Sequence, residues 1–130
     1  MTIQETIDQI YQDYEKREFE KVMSALPDNF RFHWPASPSV SKYSGHYSSK
    51  QQLLEQLELL AEDFTFNSYS ATNILIDGNK AAAEVALNLT SNETGETFDA
   101  TLAHFWRFEN GIPVKLVEYM DSALINRHAA

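Results

Sequence analysis

His104 stands within an apolar, aromatic run, sharing its alternation phase with Phe98, Leu102, Trp106 and Phe108. An imidazole accepts or donates a proton near neutral pH. Placed on an apolar face, it marks a small-molecule pocket or a buried histidine held by a carbonyl or acid. Two acids follow it along the chain, Glu118 and Asp121. Glu118 offers a carboxylate that takes a proton itself or one that fixes the imidazole. Asp121 offers an acid where a strand leaves its sheet, or a cap for the residues from Ser122 onward. Other chemistries lack their residues. There is no cysteine, which excludes disulfides, thiolate metal sites and a cysteine nucleophile. His33, His46, His104 and His128 show no metal-ligand spacing. No glycine-rich phosphate loop or Gly-x-Ser-x-Gly motif is present. Neither a metal nor a cofactor is expected.

The element that must position these groups is a long hairpin. Asn110-Gly111 tolerates positive φ and is flanked by alternating strands. Two registers are open. A two-residue turn pairs Glu109 with Ile112 and puts Val117, Tyr119 and Asp121 on the face of His104. A three-residue turn, with Gly111 in a left-handed bulge, pairs Phe108 with Ile112. It puts Leu116, Glu118 and Met120 on that face, together with Ile112 and Val114. Apolar matching favours the second, because a one-residue slip exchanges the faces. Glu118 then points inward, about two residues from His104 across the ladder.

Upstream, Thr2-Ile3-Gln4-Glu5 has capping-box spacing, and Ile3, Ile7, Ile10, Tyr11 and Tyr14 follow at helical intervals. The pattern predicts a helix over about 3–17. Phe19, Val22, Met23 and Leu26 predict a second short helix stopped by Pro27. Phe30, Phe32 and Trp34 alternate in a strand ending at Pro35, and 35–47 reads as a loop. Ser49 begins a helix to about 62, with Gln52 in the reciprocal capping position. Strands are predicted at roughly 64–76, 80–91, 96–109 and 112–121, before a short tail. The order α-α-β-α-β-β-β-β describes an α+β domain, not a doubly wound sheet.

The 130 residues fit one domain with a real core, 43% hydrophobic and 12% aromatic. A net charge of −9 repels phosphate backbones and anionic membrane surfaces. The N-terminus lacks a basic region and apolar core, and no apolar run is long enough to span a bilayer. A cytoplasmic protein binding neither nucleic acid nor membrane is expected.

The element order, Trp34-Pro35, Tyr43-Ser44-Gly45-His46, the run from His104 to Gly111 and Glu118-Tyr119-Met120-Asp121 together resemble the nuclear transport factor 2-like superfamily. This group includes SnoaL-like polyketide cyclases and ketosteroid-isomerase-like proteins. The resemblance implies a cone-shaped roll: a curved antiparallel sheet wrapped around the N-terminal and middle helices, forming a dimer through the sheet. It transfers residue by residue only in part, since one cone hosts isomerases, cyclases, hydrolases, dehydratases and binders. The ketosteroid-isomerase aspartate base precedes a proline, where this chain has Trp34. The oxyanion tyrosine of that family lies on the first helix, matched by Tyr11 or Tyr14, with Tyr14 preferred. Its proton-donating acid lies where this chain has His104. Limonene-epoxide-hydrolase-like members use two carboxylates bridged by arginine. Glu118 matches one, but 82–87 contains no Arg-x-Asp. The acid ending the last strand of SnoaL-like cyclases is matched by Asp121.

Two functions follow. One is a cofactor-free acid–base isomerase, cyclase or dehydratase for a small apolar cyclic or carbonyl substrate. It would use His104, Glu118, Tyr14 and Asp121 for catalysis, with Trp34, Trp106, Leu102, Leu116, Met120 and Tyr43 around the substrate. The other is a non-catalytic small-ligand binder or dimeric accessory domain. A homodimer is expected through the outer sheet face carrying Ala103, Phe105, Val117 and Tyr119.

Overall fold

The computed structural model describes residues 1–129. The chain forms α1 (Ile3–Glu15), α2 (Phe19–Ser24), β1 (Arg31–Trp34), β2 (Gly45–Tyr47) and α3 (Lys50–Asp63). Then come β3 (Phe64–Asp77), β4 (Lys80–Ser91), β5 (Thr97–Glu109), β6 (Ile112–Met120) and α4 (Ser122–His128). The helix starts follow from their caps. Thr2 accepts from the Glu5 amide while the Glu5 side chain accepts from the Thr2 amide. At α3, Ser49 accepts from the Gln52 amide, but Gln52 reaches back to the Ser48 amide rather than to Ser49. Two elements differ from the sequence reading. Residues 45–47, read as loop, form a short edge strand, and the tail forms α4, which Asp121 caps through its bond from the Leu124 amide.

The architecture is the expected α+β roll, a curved, open six-stranded sheet against helices. Strand order is β2-β1-β6-β5-β4-β3, antiparallel except for the parallel β1–β6 pair. Two bulges bend β3, one between Phe66 and Ser68 and one between Ala71 and Asn73. Each inserts one residue and reverses the alternation phase, so Phe64, Phe66, Tyr69, Ala71 and Ile74 all pack toward the core. On β4, Ala81 and Ala83 lie opposite Trp106 and His104. Their small side chains leave room for the two larger rings.

The hairpin follows neither predicted register as written. Asn110 and Gly111 both have positive φ, 51° and 77°, as a two-residue type I′ turn requires. The tip therefore pairs Glu109 with Ile112 and Phe108 with Pro113. An extra residue, Val114, then shifts the ladder, so that Arg107 pairs with Lys115 and Trp106 with Leu116. Pro113 is buried in place of Ile112, which is exposed. The bulge delivers the face that apolar matching favoured, but it sets Glu118 directly opposite His104 rather than two residues away. Among the described residues, no helix is long and apolar enough to cross a membrane.

Candidate functional site

A cavity of about 70 Å³ lies between the inner sheet face, α1 and α3, well above the ~10–15 Å³ that holds one water. Most of its wall is aliphatic and aromatic, including Ile10, Leu26, Phe30, Leu57 and Leu89. Polar groups enter at a few points, from Tyr11 and Tyr14 on α1, Gln56 on α3, Tyr69 on β3, His104 on β5 and Glu118 on β6.

Four of these side chains form one chain of hydrogen bonds. Trp106 Nε1 donates to the Tyr11 hydroxyl at 2.8 Å. The Tyr11 oxygen lies 2.7 Å from His104 Nδ1, and His104 Nε2 lies 2.7 Å from Glu118 Oε1. An indole N–H can only donate, so Tyr11 accepts from Trp106. The Glu118 carboxylate can only accept, which places the proton of a neutral imidazole on Nε2 and lets Tyr11 donate to Nδ1. If Nδ1 also takes up a proton, Tyr11 accepts from both neighbours and its own hydrogen turns free. His104 and Tyr11 are buried, while Glu118 keeps 13% of its side chain accessible at the cavity. Burial, reinforced by the Glu118 charge and only partly opposed by the Trp106 bond, pushes the Tyr11 phenol far above its ordinary pKa. Tyr11 therefore remains a protonated donor.

The structure places the other predicted residues unequally. Trp34, Leu102, Trp106, Leu116 and Met120 line the cavity. Trp34 gives it only the ring, because its indole N–H donates to Ser122 at 2.8 Å. Tyr14 also lines the cavity, but Tyr11 makes the bond to His104. Asp121 is exposed and caps α4, away from the cavity wall. Tyr43, expected around the substrate, does not line the cavity. It is buried behind Trp34, with its ring stacked on the indole at 5.7 Å and its hydroxyl bonded to Asp63. That loop position is core because its polar end finds a buried acceptor. His33 and His46 stack on each other, 3.6 Å between centroids, on adjacent strands. Among the described residues, no group of three or more metal-binding side chains is present.

Two residues needed tertiary information. Tyr11 adjoins Ile7 and Ile10 in the buried stripe of α1, and that central place in the stripe was the available signal for preferring it over Tyr14. Tyr69 carries no such signal, since the bulge at Asn67 reverses the alternation that would turn it outward.

The model of the SnoaL-like domain matches residues 7–119. The chain belongs to the SnoaL-like domain family. Solved structures similar to this SnoaL-like chain include an NTF2-like protein of unknown function from Burkholderia pseudomallei K96243. It has a TM-score of 0.87 and 19% identity, with 98% of this chain and 97% of that one covered. TerC co-crystallised with polyporic acid has a TM-score of 0.82 and 15% identity, with 96% and 95% covered. An isomerase candidate from Bacillus subtilis has a TM-score of 0.75 and 17% identity, with 90% and 84% covered. At these identities the likeness shows the fold. No curated protein matches the sequence.

Proposed function

We propose that this SnoaL-like protein is a cofactor-free acid–base enzyme acting on a small apolar molecule that carries a carbonyl group. The carrying observation is that the Glu118–His104–Tyr11 chain lies along an apolar cavity rather than in a sealed core. His104 has both nitrogens engaged within the protein, so it acts as a relay. Within this chain of bonds, the second oxygen of Glu118 is left to meet a ligand, and the Tyr11 hydrogen is freed when His104 Nδ1 is protonated. Glu118 takes a proton from the carbon next to the carbonyl. In the form with both His104 nitrogens protonated, Tyr11 accepts from Nδ1 and donates its own hydrogen toward the oxygen that gains negative charge. Return of the proton to another position of the same ligand restores the site. Co-crystallisation of TerC with polyporic acid supports a ligand-holding use of this fold.

The test is deuterium exchange at the α-carbons of cyclohexanone in heavy water, followed by proton NMR. The wild type should exchange well above buffer. His104→Gln should keep the fold and lose about 10²-fold or more of that rate. Exchange at the buffer rate, or unchanged exchange in the variant, overturns the enzyme reading. Binding without exchange would favour the second reading, a ligand carrier. That reading is motivated by the internal partners of both His104 nitrogens and by Trp34 at the place of the resembling family's base.

We also propose a homodimer through the outer sheet face. Phe105 and Tyr119 are 52% and 48% exposed there, with their rings edge to face at 5.8 Å. Ala103 and Val117 share that face and are half-buried. Exposed aromatics grouped in this way indicate an interaction surface. Sedimentation of the wild type should give a dimer at micromolar concentration, and Phe105→Glu a monomer. A wild-type monomer would exclude the dimer.

A further inference from the structure

We propose that Tyr14 and Tyr69 form a second recognition site in the cavity, selecting cyclic ligands with two neutral oxygen acceptors over those with one. The inference rests on the pocket reading above and adds the class of ligand. The two rings lie 4.3 Å apart and line both the main cavity and a smaller one of about 20 Å³ beside Arg17. They therefore stand in the partition between these spaces.

Among the described residues, neither the Tyr14 nor the Tyr69 hydroxyl has a hydrogen-bond partner, yet no fully buried polar atom is left unsatisfied. Both hydroxyls consequently open onto free space. The hydroxyls of Tyr11, Tyr43 and Tyr47 are each bonded within the protein. Burial, and then the charge of Glu118, pushes the Tyr14 phenol far above its ordinary range. Burial raises Tyr69 in the same direction, as do Tyr14, Tyr11 and Glu118. Both stay protonated, so they are donors awaiting an acceptor. The acid of this cavity, Glu118, already receives His104. A donor pair in an apolar wall gains most from an acceptor brought by the ligand.

The chemistry of the surroundings narrows that acceptor. Among the described residues, no lysine or arginine lines the main cavity, and Glu118 does. A carboxylate would enter without a counter-charge and facing a like charge, whereas a ketone or ether oxygen enters without that cost. The Tyr11 and Tyr69 rings are stacked 6.4 Å apart, so the Tyr14–Tyr69 pair adjoins the Tyr11–His104 chain on the wall of the same cavity.

The probes are cyclohexanone and 1,4-cyclohexanedione, titrated while following the indole N–H signals of Trp34 and Trp106. Wild type should bind the diketone about two- to ten-fold more tightly than the monoketone, the range for one added neutral hydrogen bond. The readout is the ratio of the two affinities, which should fall to about one in Tyr14→Phe/Tyr69→Phe. That variant keeps both rings and their packing. Each single variant should give an intermediate ratio. Equal affinities in wild type, or a preference that survives the double variant, overturn the second site and leave the pocket reading standing. Failure of wild type to bind either ketone overturns both.

Discussion

Two tyrosine–carboxylate networks of similar composition occupy this molecule. In one, Asp63 at the end of α3 accepts from the Tyr43 hydroxyl and pairs with Lys42 Nζ at 2.8 Å. In the other, Glu118 is joined to Tyr11 through His104. The first lies off the cavity. It fastens the loop after β1 to the end of α3, and Gln56 secures the same loop by donating to the Tyr43 carbonyl at 3.0 Å. The second runs along the cavity wall, which Tyr11, His104 and Glu118 all line. Residue chemistry alone does not separate the two networks. Access to empty space does.

That contrast predicts opposite responses. The largest effect is expected at the cavity network, where Glu118→Gln preserves an acceptor for His104 but removes the base. Exchange of cyclohexanone should fall about 10²–10⁴-fold, with unfolding little changed. Exchange retained at the wild-type rate would show the two networks to be alike. Tyr11→Phe is next. Losing the donor to the developing oxyanion should cost about 10²-fold in exchange, whereas Tyr43→Phe should leave the rate per folded molecule unchanged. A matching loss in Tyr43→Phe would break the distinction.

The network off the cavity should dominate stability instead. Asp63→Ala strips the buried Tyr43 hydroxyl of its acceptor, and denaturant unfolding should show a loss of about 1–3 kcal/mol. A smaller change would mean that water already serves this hydroxyl. The smallest effect is in the acid limb of stability. Burial opposes ionisation of Asp63, but hydrogen bonds from Lys42 and Tyr43 and the Lys42 charge outweigh it and hold the carboxyl below its ordinary value. The unfolded chain then binds more protons than the folded one in that range. The contribution is therefore complete above about pH 4 and disappears as pH falls through the lower folded value. Asp63→Asn should flatten this limb in a melting-temperature series, and an unchanged limb would assign it to other acids.

Much of the frame was legible because it is written in local rules. The capping box at Thr2–Glu5, the stripe through Ile7 and Ile10 and the alternation through Leu102, His104 and Trp106 are short-range patterns. β2 was missed because three residues at a sheet edge carry too little alternation to show. α4 was missed because seven residues gain helical form mainly from the Asp121 cap and from packing of Ile125 into the core.

The sequence by itself determined the α+β order, the inward phase of His104 and the exclusion of thiol chemistry. Only the tertiary structure decided who meets His104. Strand phase has a period of two, so one inserted residue reverses every side chain beyond it. Such insertions at Asn67, Thr72 and Val114 turned Tyr69, Ile74 and Glu118 inward. Whether a bulge forms depends on how both strands twist around the core, a non-local balance that no short window of residues contains.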